Sequence, residues 1–223
     1  MNKPKILVFA SGSAEGGGSG FENLVVASRT EKLNADIVGV VSNYASGGVK
    51  QKADRLGIPF RYFPYPWTDT EYQKIAIESE ANWFALSGWL KLVAGLDLAT
   101  KFNSKTVFNI HPDPLPEFGG KGMYGHHVHE AVIAAFKRGE ITHSAVTMHY
   151  VISEFDRGPI FLRRNITIFE DETPEDLARR VNRVEHMVQP LVTDLIVNEI
   201  IKWDGINPES LNYPSSYEIE RYV

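Results

Sequence analysis

The chain has 223 residues, a formal net charge of −5, 43% apolar and 23% charged residues, which suits one α/β domain with a sizeable core. Its basic residues are scattered among acids, which argues against a nucleic-acid surface, and no apolar run reaches the roughly 20 residues of a membrane helix. The absence of cysteine excludes disulfides and thiolate metal sites and fits a reducing compartment.

A strand pattern opens at residue 5, directly after Met1-Asn2-Lys3-Pro4, so the sequence predicts no signal peptide and a cytoplasmic location. Residues 5–10 (KILVFA) form that first strand and stop at a glycine-rich loop, SGSAEGGGSG. A helix is predicted over 22–33, a strand over 36–42, a helix over 48–56 ending at Gly57, and a strand over 60–63. A helix over 70–79, a strand over 83–86 and a fifth strand over 106–111 follow. Strands alternating with helices predict a Rossmann-like α/β fold: a mostly parallel open sheet with helices on both faces.

After Tyr124 the pattern changes. A helix with Val128, Val132, Ala135 and Phe136 on one stripe runs to about residue 138, and two strands over 144–151 and 160–168 are joined by a short connection. That brevity predicts an antiparallel edge in the C-terminal half. Thr173-Pro174-Glu175-Asp176 has an N-cap threonine, a proline at the first helical position and early acids, so it opens a long helix, predicted to reach Trp203. The reading is one domain over 1–203 and a surface tail over 204–223.

The chemistry concentrates at the end of the fifth strand. Asn109 and His111 are two apart, so they project from one face of a strand, and the prolines that follow restrict the backbone. Ligands of open α/β sheets bind at this carboxyl edge. Asp156, in Glu154-Phe155-Asp156-Arg157-Gly158-Pro159, lies between the two later strands. Alone, each residue reads as a turn or packing residue. Together an amide, an imidazole and a carboxylate suit acyl transfer to an amine: amide and protonated histidine hold the oxyanion, and the carboxylate raises the histidine pKa.

Asn109-Ile110-His111-Pro112-Asp113-Pro114-Leu115-Pro116, the downstream Phe155-Asp156-Arg157-Gly158-Pro159-Ile160, and Ser87-Gly88-Trp89-Leu90-Lys91-Leu92 occur in this order. The set resembles the 10-formyltetrahydrofolate-dependent formyltransferases, over roughly residues 5–203. The resemblance implies that Asn109, His111 and Asp156 are catalytic. It implies a folate pocket at Leu90, Lys91, Leu92 and Val93, flanked by Asn109 and by a loop from Ile152 to Asp156. It is greatest to the branch that formylates glycinamide ribonucleotide in purine synthesis, and so implies a nucleotide contact at Glu185. The implied small molecules are glycinamide ribonucleotide and 10-formyltetrahydrofolate as co-substrate, without metal, nucleic acid or membrane, in a monomer or homodimer.

The loop after strand one has neither a GK[ST] P-loop nor a GxGxxG fingerprint, and no acid follows strand two at Ser42-Asn43. A mononucleotide phosphate on amides of Gly20, Phe21, Glu22 and Asn23 is the remaining reading, with the Glu22 side chain turned away. The loop is longer than the family's. Asp113-Pro114 departs from the family's Ser-Leu, and the family's arginine near residue 70 has no match, with Lys74 or Arg61 as substitutes. His126, His127 and His129 lack an HExxH pattern, so the prediction is no metal site; Tyr62, Phe63, Tyr65 and Trp67 are read as packing. Methionyl-tRNA formyltransferase, formyltetrahydrofolate deformylase, sugar-nucleotide N-formyltransferases and an idle folate-binding protein are the competing readings. The first two normally carry extra domains, and an idle binder would need the trio broken.

Overall fold

The computed structural model describes residues 3–214 and 217. Five parallel strands, β1 (Lys5–Phe9), β2 (Asp36–Ser42), β3 (Phe60–Tyr62), β4 (Trp83–Ser87) and β5 (Val107–His111), are joined by β6 (His143–Tyr150) and β7 (Ile160–Thr167) into one sheet of order β3-β2-β1-β4-β5-β6-β7. The pairs β5–β6 and β6–β7 are antiparallel, as the short connection predicts. The two-residue period of β1 serves both faces. Ile6, Val8 and Ala10 enter a core with helices α1 (Ser19–Arg29), α2 (Gly48–Leu56), α4 (His126–Lys137) and α5 (Pro174–Val197), while Leu7 and Phe9 enter a second core with α3 (Asp69–Glu78). Helices thus cover both faces, burying the runs that parallel strands require.

Three differences from the sequence reading have local causes. Helix α1 begins at Ser19, not residue 22, because Gly18 takes up the left-handed conformation (φ 74°) that turns the chain into the helix. Helix α5 stops at Val197 rather than reaching Trp203. The Asn198 amide turns back to donate to the Asp194 carbonyl (2.9 Å), and Glu199 takes a positive φ of 58°. Ile201 and Trp203, which continue the apolar period, instead bury themselves from the returning chain. Within 204–214 the chain makes a 3-10 turn, Pro208–Ser210, and a β-bridge joining Asn212 to Lys202. The rest of the predicted tail, residue 217 apart, lies outside the described residues.

Pro190 sits inside α5 without breaking it. Having no N–H, it frees the carbonyl of His186 four residues earlier, and Asn23 of α1 donates its side-chain amide to that oxygen at 2.8 Å. A helix defect is thereby converted into a tie between α1 and α5.

Candidate active site

In the sheet order, β1 lies between β2 and β4, so the chain reverses its direction of travel across the sheet there. Crevices form at the carboxyl ends of strands at such a switch. A cleft of about 970 Å³ opens at this edge, lined by residues following β1, β4 and β5, by the segment after Gly119, and by one face of α5.

Asn109, His111 and Asp156 converge in it. His111 is buried, and its Nε2 lies 2.8 Å from the Phe118 carbonyl oxygen. A carbonyl only accepts, so Nε2 carries the proton and Nδ1 keeps its lone pair in the neutral ring. That Nδ1 is 4.0 Å from Asp156 Oδ1, a gap whose ends one donor atom can reach at ordinary hydrogen-bond length. Burial pushes the His111 pKa below the usual histidine value, and the opposing pull of the Asp156 carboxylate, then of the Phe118 carbonyl and Asp113, does not restore it. Burial thus favours the neutral ring, against the sequence reading of an imidazole held protonated by Asp156.

Asp156 occupies a left-handed conformation (φ 54°) and is fixed from several sides. Its Oδ2 accepts from Gly120 N–H at 2.9 Å, and its Oδ1 lies 3.5 Å from His149 Nε2. A β-carbon on Gly119 would approach Asp156 Cβ to 2.9 Å, and one on Gly158 would lie 1.7 Å from the Tyr150 carbonyl oxygen, so the chain closes round the carboxylate only with glycine at both places. Burial raises the Asp156 pKa, but the hydrogen bonds around it, that of the Gly120 N–H among them, outweigh burial and hold the carboxyl below its ordinary range.

Sequence reasoning passed over His149. It is buried on β6, directly opposite Asn109. Its Nδ1 donates to the Tyr150 carbonyl oxygen at 2.8 Å, which leaves Nε2 as acceptor for the Asn109 amide at 3.1 Å. Asn109 has two amide hydrogens, so the second stays available to the cleft. Only pairing across β5 and β6 reveals this, because the sequence around His149 reads as a core strand.

The formyl transferase family model matches residues 4–193. The chain belongs to the formyl transferase family. It is 35% identical to the chloroplastic phosphoribosylglycinamide formyltransferase of Vigna unguiculata over 92% of this chain, and spans 65% of that relative's length. The corresponding Bacillus subtilis (strain 168) enzyme is 31% identical over 84% of this chain and 92% of its own. The crystal structure of phosphoribosylglycinamide formyltransferase from Anaplasma phagocytophilum superimposes with a TM-score of 0.78 at 26% identity, covering 98% and 97% of the two chains.

Against the family expectation, the structure brings Gly20, Leu90, Lys91, Leu92 and Glu185 to the cleft beside the trio, but not the other expected positions. Phe21 buries its ring in the core and keeps only its N–H toward the expected seat, Glu22 pairs with Arg55 of α2 as its predicted turn away requires, and the Asn23 side chain is occupied with the carbonyl freed by Pro190. Because α1 starts three residues early, its free first-turn N–H groups belong to Ser19, Gly20 and Phe21, since Glu22 N–H already bonds Gly18 O at 3.0 Å. The amide seat is therefore displaced toward the loop. Val93 and Ile152 turn their side chains into the two cores, leaving Phe155 and Asp156 as the lining members of their loop.

Neither substitute for the missing arginine reaches the cleft: Arg61 pairs with Glu78, and Lys74 borders a separate groove along α3. The cations lining the cleft are Lys91, Lys121 and Arg179, and the Lys91 Nζ stands 4.6 Å over the Trp67 ring. The 79% exposed Tyr65 and Trp67, which also packs on the second core, form one wall of the cleft. Asp113 is fully buried; it accepts from Ser144 Oγ at 2.5 Å, and its Oδ2 lies 3.0 Å from His129 Nδ1. This carboxylate ties β5 to β6 and α4 from beneath the site. His126 and His127 face Glu130 and Glu175 at 3.2–3.4 Å, and among the described residues no three metal-ligating side chains converge. No helix among them is long and apolar enough to cross a membrane.

Burial raises the Glu185 pKa to about 7; the Asn182 amide (3.4 Å) and His129 oppose the rise. Glu185 is thus partly protonated at neutral pH, able both to donate and to accept toward a ligand.

Proposed function

We infer that this chain is a phosphoribosylglycinamide formyltransferase of purine biosynthesis, moving the formyl group of 10-formyltetrahydrofolate to the primary amine of glycinamide ribonucleotide. The observation that carries the chemistry is His111, its Nε2 engaged by the Phe118 carbonyl, facing Asp156 across 4.0 Å beside Asn109, which spends one amide hydrogen on His149. Family membership and relatives bearing that name support the substrates. The reading keeps a cytoplasmic compartment, small-molecule partners and no metal.

The acceptor amine sits between His111 Nδ1 and Asp156 Oδ1, within reach of both. Its lone pair attacks the formyl carbon, a C–N bond forms, and the carbonyl electron pair moves to oxygen, where the spare Asn109 N–H stabilises it. The amine proton passes to His111 Nδ1, and the adjacent carboxylate stabilises the resulting imidazolium. Collapse of the intermediate breaks the bond to the folate nitrogen, which takes the proton from His111 and leaves as tetrahydrofolate. Leu90, Leu92 and the Tyr65–Trp67 wall supply apolar area suited to the flat rings of the folate.

His111→Ala should lower turnover by about 10²–10⁴-fold, and Asp156→Asn, which keeps shape but not charge, by a similar order. Near-normal turnover in either variant, with melting temperature preserved, would overturn these roles.

A further inference from the structure

Helix α5 presents Asn182, Glu185, His186 and Gln189 to the cleft, at spacings of three and four residues that make one polar stripe. Its last member is the unusual one. Gln189 is 1% exposed; its Nε2 is 3.1 Å from Ser87 Oγ at the end of β4, and its Oε1 has no hydrogen-bond partner among the described residues. Exchanging the amide oxygen and nitrogen would move the vacancy to the other atom without filling it. Leaving a buried amide atom unpaired is unfavourable, so a cleft that retains one is poised to receive a partner.

The surroundings define that partner. A β-carbon on Gly20 would lie 2.1 Å from Ser87 Oγ and 3.1 Å from Gln189 Oε1, so the serine–glutamine pair abuts the first turn of α1, whose free N–H groups suit an anion. One turn back along α5, His186 Nε2 is buried without a hydrogen-bond partner, and burial holds its pKa below the ordinary value. Neutral hydrogen-bonding groups beside an anion seat suit a phosphorylated sugar, whose hydroxyls donate and accept and so pair with the amide in either orientation.

We propose that Gln189, oriented by Ser87, is a specificity-determining contact for a sugar hydroxyl of the acceptor's phosphoribosyl end. This rests on the functional reading above and assigns the nucleotide end to a residue pair outside the catalytic trio.

The test is steady-state kinetics of Gln189→Met, Gln189→Glu and Ser87→Ala, with KM measured separately for glycinamide ribonucleotide, its 2′- and 3′-deoxy analogues, and 10-formyltetrahydrofolate. Gln189→Met should raise the ribonucleotide KM roughly tenfold, with kcat and the folate KM within about twofold. One deoxy analogue, discriminated against by the wild type, should bind the Met variant no worse than the ribonucleotide does. Gln189→Glu, which retains an acceptor, should keep part of that discrimination, and Ser87→Ala should lose part of it. The proposal is overturned if Gln189→Met leaves the ribonucleotide KM unchanged, raises both KM values alike, or keeps full discrimination. If the Met variant does not fold, unaltered discrimination in both the Glu and Ala variants overturns it equally. Wild-type protein that does not formylate the ribonucleotide would instead overturn the functional reading, and this inference with it.

Discussion

His111 enters the cleft with its proton already assigned, because the Phe118 carbonyl accepts only from Nε2. Asn109 and His111 are legible in sequence because a polar pair at an apolar strand's end has little structural purpose, and Asp156 because it heads a Gly-Pro turn. The protonation state is not legible, since it depends on burial outweighing a carboxylate. His149 is hidden for a related reason: its partners are Asn109, 40 residues earlier, and the carbonyl of the following Tyr150. Glu185 carries a prediction at this scale. Its folded pKa of about 7 exceeds the ordinary carboxyl value of 4.5, so the fold favours the protonated form. Its contribution to stability is present below pH 4.5 and lost as pH rises through 7. Glu185→Gln, which stays neutral, should match the wild type near pH 4.5 and gain on it up to about pH 7, by on the order of 2 kcal/mol or roughly 4–8 °C in Tm. Parallel stability curves for the two proteins would refute the buried-carboxyl account.

Strand and helix identities follow from periodicity, and the long helix from its Thr173 cap, where Asp176 N–H meets Thr173 Oγ1 at 3.2 Å. The ends of elements are less legible because distant contacts decide them. Helix α1 starts early at a glycine inside a loop that already looks irregular, and α5 stops while its apolar pattern continues. Asn23 shows the consequence for function: a residue that reads as a phosphate contact is engaged by the carbonyl that Pro190 frees. Asn23→Ala should therefore cost about 1 kcal/mol, a fall of 2–4 °C in Tm, and leave the ribonucleotide KM unchanged. A KM increase without loss of stability would return Asn23 to the substrate. The β6–β7 turn makes the opposite case, in which a backbone residue controls chemistry. Gly158→Ala places a β-carbon 1.7 Å from the Tyr150 carbonyl oxygen, so it should destabilise by about 1–3 kcal/mol and lower turnover by displacing Asp156. Wild-type melting and turnover in that variant would mean that the turn does not hold the carboxylate.

Across the whole molecule, the order β3-β2-β1-β4-β5-β6-β7 brings the carboxyl ends of β1, β4 and β5 to one edge. The antiparallel β6 and β7 add Asp156 and His149 from the other side. The alternation of strands and helices conveys the fold class, and the ordered motifs convey the chemistry at that edge. Sequence does not convey which cleft walls are left open, such as Tyr65 and Trp67, because exposure is a property of the assembled surface. The proposed reaction joins a folate formyl donor to an amine on a ribonucleotide in this cleft. The most direct test follows 10-formyltetrahydrofolate consumption by the wild type with and without glycinamide ribonucleotide. Tetrahydrofolate and formylated ribonucleotide should form in equal amounts, with no reaction without the acceptor. Formate released without the acceptor, or folate binding with no transfer to the ribonucleotide, would contradict that reaction.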